Sequence, residues 1–229
     1  MAFITNRRTA MNRTYLTVLS LTLILNFAFP LAYAEEDKKV SGKWEDLIGP
    51  PPARDSVEED ADVDTLLNFQ NTRTDEDCRL AALEEKVSLK TFFGGTNAVL
   101  TDKEVKKLQV LFFLKMIKGG LVSSLAKKHF ARPRPFLTFS EIQTCIHKPS
   151  SESYPSGHAT VARLMAHALA KKFPDRALAI YKRADDVARN RMLGGVHYPS
   201  DVAAGKKLAD HLARKLLTDK DFVQELLKD

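Results

Sequence analysis

The sequence predicts an all-α fold, a single compact helical-bundle domain, from the spacing of its apolar residues. From Val63 onward these residues recur every three or four positions, which is the period of helices that pack through one face. Almost no stretch alternates apolar and polar residues as a strand does, and no internal repeat occurs. With 44% hydrophobic and 28% charged residues among 229, the chain has the composition and length of one globular domain.

Residues 1–34 are predicted to be a cleaved secretory signal peptide. Three arginines precede an apolar run at residues 15–25, and the segment ends in a small-x-small sequence that a signal peptidase would cut after Ala34. An uncleaved membrane anchor is the alternative, which the short apolar run and Pro30 disfavour. Met11 is an alternative start that would give a more compact signal.

The charge and the cysteines restrict the partners of the exported part. Removing the three arginines of the signal segment lowers the formal net charge from +6 to +3, which gives little reason to expect a nucleic-acid partner. For Cys78 and Cys145, one disulfide is the simplest prediction in an oxidising compartment, and two free thiols are the alternative. No Cys/His cluster has the spacing of metal ligands, so neither a metal nor another cofactor is predicted.

The first half of the chain divides into a polar lead-in and a long helical region. Residues 35–62 are expected to form an extended lead-in over the surface, since they are polar, acidic and interrupted by Pro50-Pro51-Pro52. The helical domain is predicted to cover residues 63–229. Thr101 opens a capping box before a long apolar stretch, in which Gly119-Gly120 is a candidate bend or break.

Further helices are predicted in the second half. Ser156 is a natural N-cap for a helix that runs to about Lys172. Another helix is expected at about residues 175–192, and Pro199 at a first helical position starts the next. A short terminal helix completes the predicted bundle.

Three polar clusters lie where these helices begin and end. The first contains Lys127 and Arg134 in the spacing K-x6-R-P, and the second is Pro155-Ser156-Gly157-His158. The third, at residues 190–201, contains R-x5-H-x3-D. Seen singly, each cluster has a structural explanation, because helix ends attract charged side chains and capping serines.

Together the clusters provide the groups that phosphoryl transfer requires without a metal. The transferred group spreads negative charge over its oxygens, and catalysis depends mainly on positioning and electrostatic stabilisation. Lys127, Arg134 and Arg191 are three cations suited to a phosphate. Ser156 and Gly157 add donors at a helix N-terminus, which favours anions.

Two histidines suit the two faces of an in-line displacement. His197 is predicted to be the nucleophile, because Asp201 four residues later can hold one ring nitrogen and leave the other free to attack. His158 is then the general acid, so the predicted catalytic set is His197, His158 and Asp201. Structural or surface roles are assigned to His129, His147, His167 and His211.

The order and spacing of the three motifs resemble the type-2 phosphatidic acid phosphatase superfamily, and the chain is most similar to its class A bacterial non-specific acid phosphatases. The similarity covers most of residues 48–215 and includes Leu100-Thr101-Asp102-Lys103-Glu104, Arg132-Pro133-Arg134-Pro135-Phe136 and Thr144-Cys145. The resemblance implies the helical fold of this superfamily, a phosphohistidine intermediate on His197, proton donation by His158 and no metal. It also implies export to the periplasm, frequent homo-oligomers and binding of vanadate as a transition-state mimic. The implied phosphate ligands are Lys127, Arg134, Ser156, Gly157 and Arg191.

Two features depart from that family. Asn190 stands where the family has a serine, and the loop from Ile146 to Ser153 is shorter than in class A relatives. Alternatives therefore stay open: a phosphatase for lipid phosphates or pyrophosphates at the membrane surface, a vanadium haloperoxidase, or a catalytically silent phosphate-binding protein. If both catalytic histidines titrate near about 6.5, hydrolysis of phosphate monoesters is expected to peak at mildly acidic pH.

Overall fold

The computed structural model describes residues 44–95 and 98–228, and every regular element in these ranges is a helix, which confirms the all-α prediction. The predicted signal peptide and the first part of the lead-in lie outside the described residues. None of the helices in the described ranges combines the length and the apolar composition needed to cross a bilayer. The α-helices are α1 (Trp44–Ile48), α2 (Val57–Thr72), α3 (Asp75–Leu83), α4 (Leu89–Phe93), α5 (Asp102–Phe130), α6 (Pro135–Thr138), α7 (Gly157–Lys172), α8 (Ala177–Leu193), α9 (Pro199–Thr218) and α10 (Lys220–Leu227), with a 3-10 turn at Pro174–Arg176.

Helix α7 is the central helix of the described fold and packs against α5, α8 and α9. Small side chains permit the close approach, since Ala162 and Ala166 of α7 are fully buried. Gly205 of α9 is required where α9 passes the start of α7, because a Cβ there would lie 2.6 Å from the carbonyl oxygen of Ser156. The first turn of α7 is thereby fixed against the helix that carries Asp201.

The helix starts near the predicted motifs follow local sequence signals. Ser156 caps α7, and its Oγ accepts a hydrogen bond from the Ala159 N–H at 3.4 Å. Thr101 and Glu104 form the predicted capping box of α5. Pro199 is the first residue of α9, where its missing N–H leaves no intrahelical bond unmade.

Helix α5 runs without interruption through Gly119-Gly120, so a break there is wrong. Gly119 instead permits close packing against α7, because a Cβ at this position would lie 3.0 Å from Cδ2 of Leu164. The helix ends at Ala131, which has the left-handed conformation with φ of 49°. Arg132 and Arg134 follow directly after this end.

Helical structure begins earlier in the chain than predicted. Residues 44–48 form α1, and α2 begins at Val57, so the extended lead-in is wrong for these residues. Ser56 caps α2 by accepting the Glu59 N–H at 3.2 Å, and acidic residues occupy the positive end of the helix. Asp62 is buried in α2, because it pairs with an arginine of the first motif region rather than with solvent.

Two long-range links attach the N-terminal helices to the segments around the motifs. A disulfide joins Cys78 of α3 to Cys145 in the loop before the second motif. The Tyr154 hydroxyl, directly before that motif, donates to the carbonyl oxygens of Ile48 and Gly49 at 3.1 and 3.0 Å. These links hold α1 and α3 beside the start of α7.

Candidate active site

The three motifs meet at a cavity of about 250 Å³. Part of its lining comes from helix ends: the C-terminal part of α5, the first turn of α7 and the last turn of α8. Loops supply the rest, from Glu85 after α3, Arg134 after α5, residues 146–151 before α7 and residues 196–197 before α9. Six residues predicted for the site line it: Lys127, Arg134, Gly157, His158, Arg191 and His197. The other two, Ser156 and Asp201, are fully buried and are not part of the lining.

The buried His197 ring is held at both nitrogens. Its Nδ1 lies 3.0 Å from Oδ2 of Asp201, which also accepts the backbone N–H of Tyr198 at 2.9 Å. Because a carboxylate accepts, Nδ1 carries the proton and Nε2 carries the lone pair. Arg134 Nη1 donates to this Nε2 at 2.9 Å. The nitrogen that can act as a nucleophile therefore lies directly beside a cation that can bind phosphate.

Arg132 supports the His197–Asp201 pair, although its sequence position suggested only a charged side chain at a helix end. Its Nη1 donates to Oδ1 of Asp201 at 2.9 Å and its Nη2 donates to Oδ2 of Asp62 at 3.2 Å. The guanidinium also lies 3.7 Å from the centre of the Tyr198 ring. No local pattern relates Asp62 on α2 to this site, so sequence reasoning missed it.

Backbone carbonyl groups hold two of the cations at the cavity. Lys127 Nζ donates to the carbonyl oxygens of Glu152 and Ser153, the latter at 3.0 Å. Arg134 donates to the carbonyl oxygens of Ser151 at 2.8 Å and Val196 at 2.7 Å. Burial lowers the pKa of Lys127 to about 7, with a further lowering from Arg134, and burial lowers the pKa of Arg134 to about 10.

Arg191 brings the third cation to the cavity from α8. Its Nη2 donates to the carbonyl oxygen of Ala81 and lies 3.6 Å from Oε2 of Glu84. Its Nε is buried and makes no hydrogen bond within the described residues, which leaves a donor available to an anion. Burial lowers the pKa of Arg191 from its ordinary value, but the group remains a cation at any pH of interest.

His158 is oriented by the chain just after α3. Its Nε2 lies 3.0 Å from the carbonyl oxygen of Glu84 and 3.2 Å from that of Glu85, so Nε2 carries a proton and donates to them. Nδ1 is then the nitrogen available for proton transfer. Burial, and then repulsion from Arg191, lowers the pKa of His158 to about 3.

The expectation that both histidines titrate near 6.5 is wrong for these surroundings. Burial, followed by the charges of Arg134 and Lys127, lowers the pKa of His197 well below its ordinary value. Burial raises the pKa of Asp201 to about 6, although Arg132 and the Tyr198 N–H oppose that rise. His197 is therefore a neutral imidazole beside a carboxylate that is ionised above about pH 6.

The two departures from the family pattern both contact the residues just after α3, Asn190 at Glu84 and the short loop at Glu85. Asn190 Nδ2 donates to Oε2 of buried Glu84 at 3.0 Å, and Arg183 pairs with the other oxygen of Glu84. His147, assigned to a structural or surface role, lies in the short loop and lines the cavity. Its backbone N–H donates to Oε1 of Glu85 at 2.8 Å. Sequence spacing alone gave no signal for Glu84 or His147.

The described residues contain no group of three or more His, Cys, Asp or Glu side chains that could hold a metal ion. Two buried carboxylates near the cavity are instead engaged by arginines, Asp201 by Arg132 and Glu84 by Arg183. The chemistry of the cavity is that of an anion site next to two histidines.

Comparison with known proteins agrees with this geometry. Residues 108–213 match the PAP2 superfamily profile. Non-specific acid phosphatase of Salmonella typhimurium is 28% identical over 193 residues, which cover 79% of this chain and 76% of that protein. Lipid A 1-phosphatase of Rhizobium etli is 32% identical over 133 residues, 52% of this chain and 57% of that protein.

Among solved structures, a bacterial vanadium-dependent iodoperoxidase shares the fold. It has a TM-score of 0.56 at 18% identity, over 78% of this chain and 52% of that chain. The helical fold, the three motifs around one cavity and the acid phosphatase relatives agree with one another. The chain therefore contains a PAP2 superfamily domain at residues 108–213 and is a phosphatase similar to the non-specific acid phosphatases.

Proposed function

We propose that this chain is an exported, metal-independent acid phosphatase that hydrolyses phosphate monoesters through a phosphohistidine on His197. The observation that carries the proposal is the state of that ring: Asp201 fixes the Nδ1 proton, and the Nε2 lone pair lies 2.9 Å from a cation of the cavity. A protein that only bound phosphate would need the cations but not an oriented nucleophile. This favours an enzyme over a silent phosphate-binding protein.

In the first step the lone pair of His197 Nε2 attacks phosphorus. The N–P bond forms, the bond from phosphorus to the ester oxygen breaks, and that oxygen takes a proton from Nδ1 of His158 to leave as an alcohol. Arg134 exchanges its bond to Nε2 for a phosphate oxygen as phosphorus approaches. Lys127, Arg191 and the start of α7 at Gly157 stabilise the charge on the equatorial oxygens.

In the second step water hydrolyses the phosphohistidine. Neutral His158 takes a proton from the water, the new O–P bond forms, and the electron pair of the N–P bond returns to Nε2 of His197. Inorganic phosphate leaves, and both rings regain their starting protonation. Asp201 positions His197 throughout and takes up no proton in either step.

Acid activity follows from the charges of the cavity. Lys127, with a pKa of about 7, is fully charged only on the acid side, where it strengthens binding of the phosphate. A bound phosphate dianion opposes the repulsion that Arg191 exerts on protonated His158, so the pKa of His158 rises in the complex. Both effects favour turnover below neutral pH.

Export to the periplasm is part of the proposal. The predicted signal sequence precedes the described residues, and the disulfide between Cys78 and Cys145 suits an oxidising compartment.

The test is phosphate release from p-nitrophenyl phosphate by the purified mature chain from pH 4 to 8, with EDTA, with and without vanadate. Turnover should survive EDTA and be blocked by vanadate. His197→Ala should lower kcat by roughly a thousandfold or more while the chain stays folded. His167→Ala is the matched control, since His167 bonds to Asp210 and Tyr181 outside the cavity. Near-normal turnover of the His197 variant, or loss of turnover with EDTA, contradicts the proposal.

A further inference from the structure

A second, larger groove opens beside the phosphate cavity. It has a volume of about 470 Å³ and shares four lining residues with that cavity: Lys127, Ser151, Gly157 and His158. Beyond these four, an apolar wall is formed by Val87, Phe113, Ile117 and Val161. The rest of the lining is Gly120 and the polar residues Ser123, Ser124, Lys128 and Glu152. The groove is thus continuous with the site where phosphate is proposed to bind.

Three of the four apolar wall residues are side chains that the fold leaves exposed, and Val161 is the buried one. Phe113 and Ile117 of α5 are 67% and 52% exposed, and Val87 is 42% exposed. The opposite face of α5 already supplies core residues such as Phe112 and Leu108, so Phe113 and Ile117 form a separate apolar face. Adjacent large apolar side chains at a concave surface are typical of a binding groove.

The apolar surface continues away from the cations. Val87 and Phe113 also line a neighbouring cavity of about 500 Å³, together with Val110 of α5. From Lys127 to Phe113 the rise of α5 corresponds to about 21 Å, at 1.5 Å per residue. A chain leaving the phosphate site along α5 would therefore find apolar walls over several carbon atoms.

The positions of the two histidines decide which part of a substrate enters the groove. His197 lines the phosphate cavity and not the groove, whereas His158 lines both. Because the leaving oxygen departs opposite the nucleophile, and His158 protonates it, the group attached to that oxygen points into the groove.

A buried hydroxyl marks the passage between the two spaces. Ser123 of α5 lines the groove and is 2% exposed, and its Oγ makes no hydrogen bond within the described residues. It lies 3.5 Å from the point where a Cβ on Gly157 would stand. An unpaired buried hydroxyl is unfavourable unless a ligand completes it. Here it offers one polar contact at the point where the ester group passes.

We propose that this groove is the leaving-group subsite and that the preferred substrates are phosphate monoesters of elongated apolar alcohols. This inference rests on the proposed function, because it takes His158 as the acid for the leaving group. The phosphate is bound by the cations of the cavity, Ser123 contacts the polar neck, and the apolar chain lies against Phe113 and Ile117.

The experiment compares kcat/KM for unbranched alkyl phosphates from methyl to octyl, each below the concentration at which it aggregates. Full burial of a methylene corresponds to about a fourfold gain, and a half-open groove should give about twofold per methylene. Phe113→Ser and Ile117→Ser should flatten the rise of kcat/KM with chain length and leave kcat/KM for methyl phosphate, which does not reach these side chains, unchanged. Leu178→Ser is the control, because Leu178 is 85% exposed on α8 and lines neither space.

The outcomes separate this inference from the proposed function. The subsite is overturned if the esters are hydrolysed but kcat/KM does not rise with alkyl chain length. It is also overturned if kcat/KM still rises with chain length in Phe113→Ser and Ile117→Ser. Failure to hydrolyse any ester overturns the proposed function instead. Alkylphosphonates cannot release their alkyl group as an alcohol, so their affinities by titration calorimetry test the groove in that case too. The affinity of the phosphonates is expected to rise with chain length in the same way, and equal affinities for short and long chains overturn the inference.

Discussion

Replacement of Arg132 by methionine tests whether the buried charge network, rather than the motif residues alone, holds the nucleophile in place. The Arg132 guanidinium bridges Asp201 and Asp62, and all three side chains are at most 7% exposed. Removing one partner of a buried ion pair costs about 3–5 kcal/mol, because the remaining charge is left without compensation. Each carboxylate keeps other donors, such as the Tyr198 N–H for Asp201 and the Ser200 N–H for Asp62, so the lower end, about 3 kcal/mol, is expected.

Urea unfolding at pH 7, with the disulfide intact, measures this loss of stability. Thermal unfolding gives a second measurement. At about 2–4 °C per kcal/mol for a domain of this size, the melting temperature should fall by about 6–12 °C. Arg163→Met is the matched control: Arg163 pairs with Asp210 at 2.8 Å, but the two side chains are 27% and 34% exposed. Loss of a partly exposed pair of this kind should cost no more than about 1 kcal/mol.

The same variant should change the pH profile of the enzyme. Arg132 opposes the rise in the pKa of Asp201, which already lies at about 6, so its removal raises that pKa further. Asp201 is then protonated over more of the acid range and holds His197 less firmly, which moves the acid limb of kcat/KM to higher pH. A loss of stability equal to that of Arg163→Met, together with an unmoved acid limb, would refute the reasoning.

Three further predictions concern the cavity and its supports. In Lys127→Met, the deficit in kcat/KM relative to the native chain should be largest below about pH 7 and shrink above it, because Lys127 has a pKa of about 7. The pH profiles of the two proteins measure this deficit, and the titration of the substrate cancels in their ratio. Reduction of the bond between Cys78 and Cys145, 67 residues apart, should lower the unfolding free energy by about 4 kcal/mol in denaturant titrations, and an unchanged midpoint would contradict it. His158 has a folded pKa of about 3, below its unfolded value of 6.5, so the unfolded state takes up the proton first and stability falls as pH drops below about 6.5. The slope of the unfolding free energy against pH, up to about 1.4 kcal/mol per pH unit, should become shallower in His158→Asn.

The features that sequence predicted well depend on local rules. Ser156 as an N-cap, the box that Thr101 opens and Pro199 at a first helical position each involve residues within one helical turn, so the chain itself displays the signal. The pairing of His197 with Asp201 belongs to the same class, because a spacing of four residues brings both onto one side of a helix start.

The features that the sequence did not predict depend on partners far apart in the chain. Asp62 was assigned to an extended lead-in, yet it is buried against Arg132, 70 residues later. Gly119 could be read as a break, whereas its lack of a side chain serves the contact with Leu164 on another helix. Glu84 carries no local sequence signal, since nothing near it in the chain indicates that its carboxylate accepts a hydrogen bond from Asn190. Tertiary pairing decides each case, and one sequence does not display it.

The choice of hydrogen-bond acceptors explains why the cavity suits a doubly charged anion. Lys127 and Arg134 donate to carbonyl oxygens, whereas Arg191 donates to the carbonyl of Ala81 and also lies 3.6 Å from Oε2 of Glu84. Carbonyl groups orient a cation without cancelling its charge, whereas a carboxylate in direct contact would neutralise it. Asp201 lies behind His197, on the side away from its Nε2, where it orients the ring. The charges of Lys127 and Arg134 are thus left for the substrate. Burial first, and then these two charges, lower the pKa of His197 and keep its attacking nitrogen unprotonated.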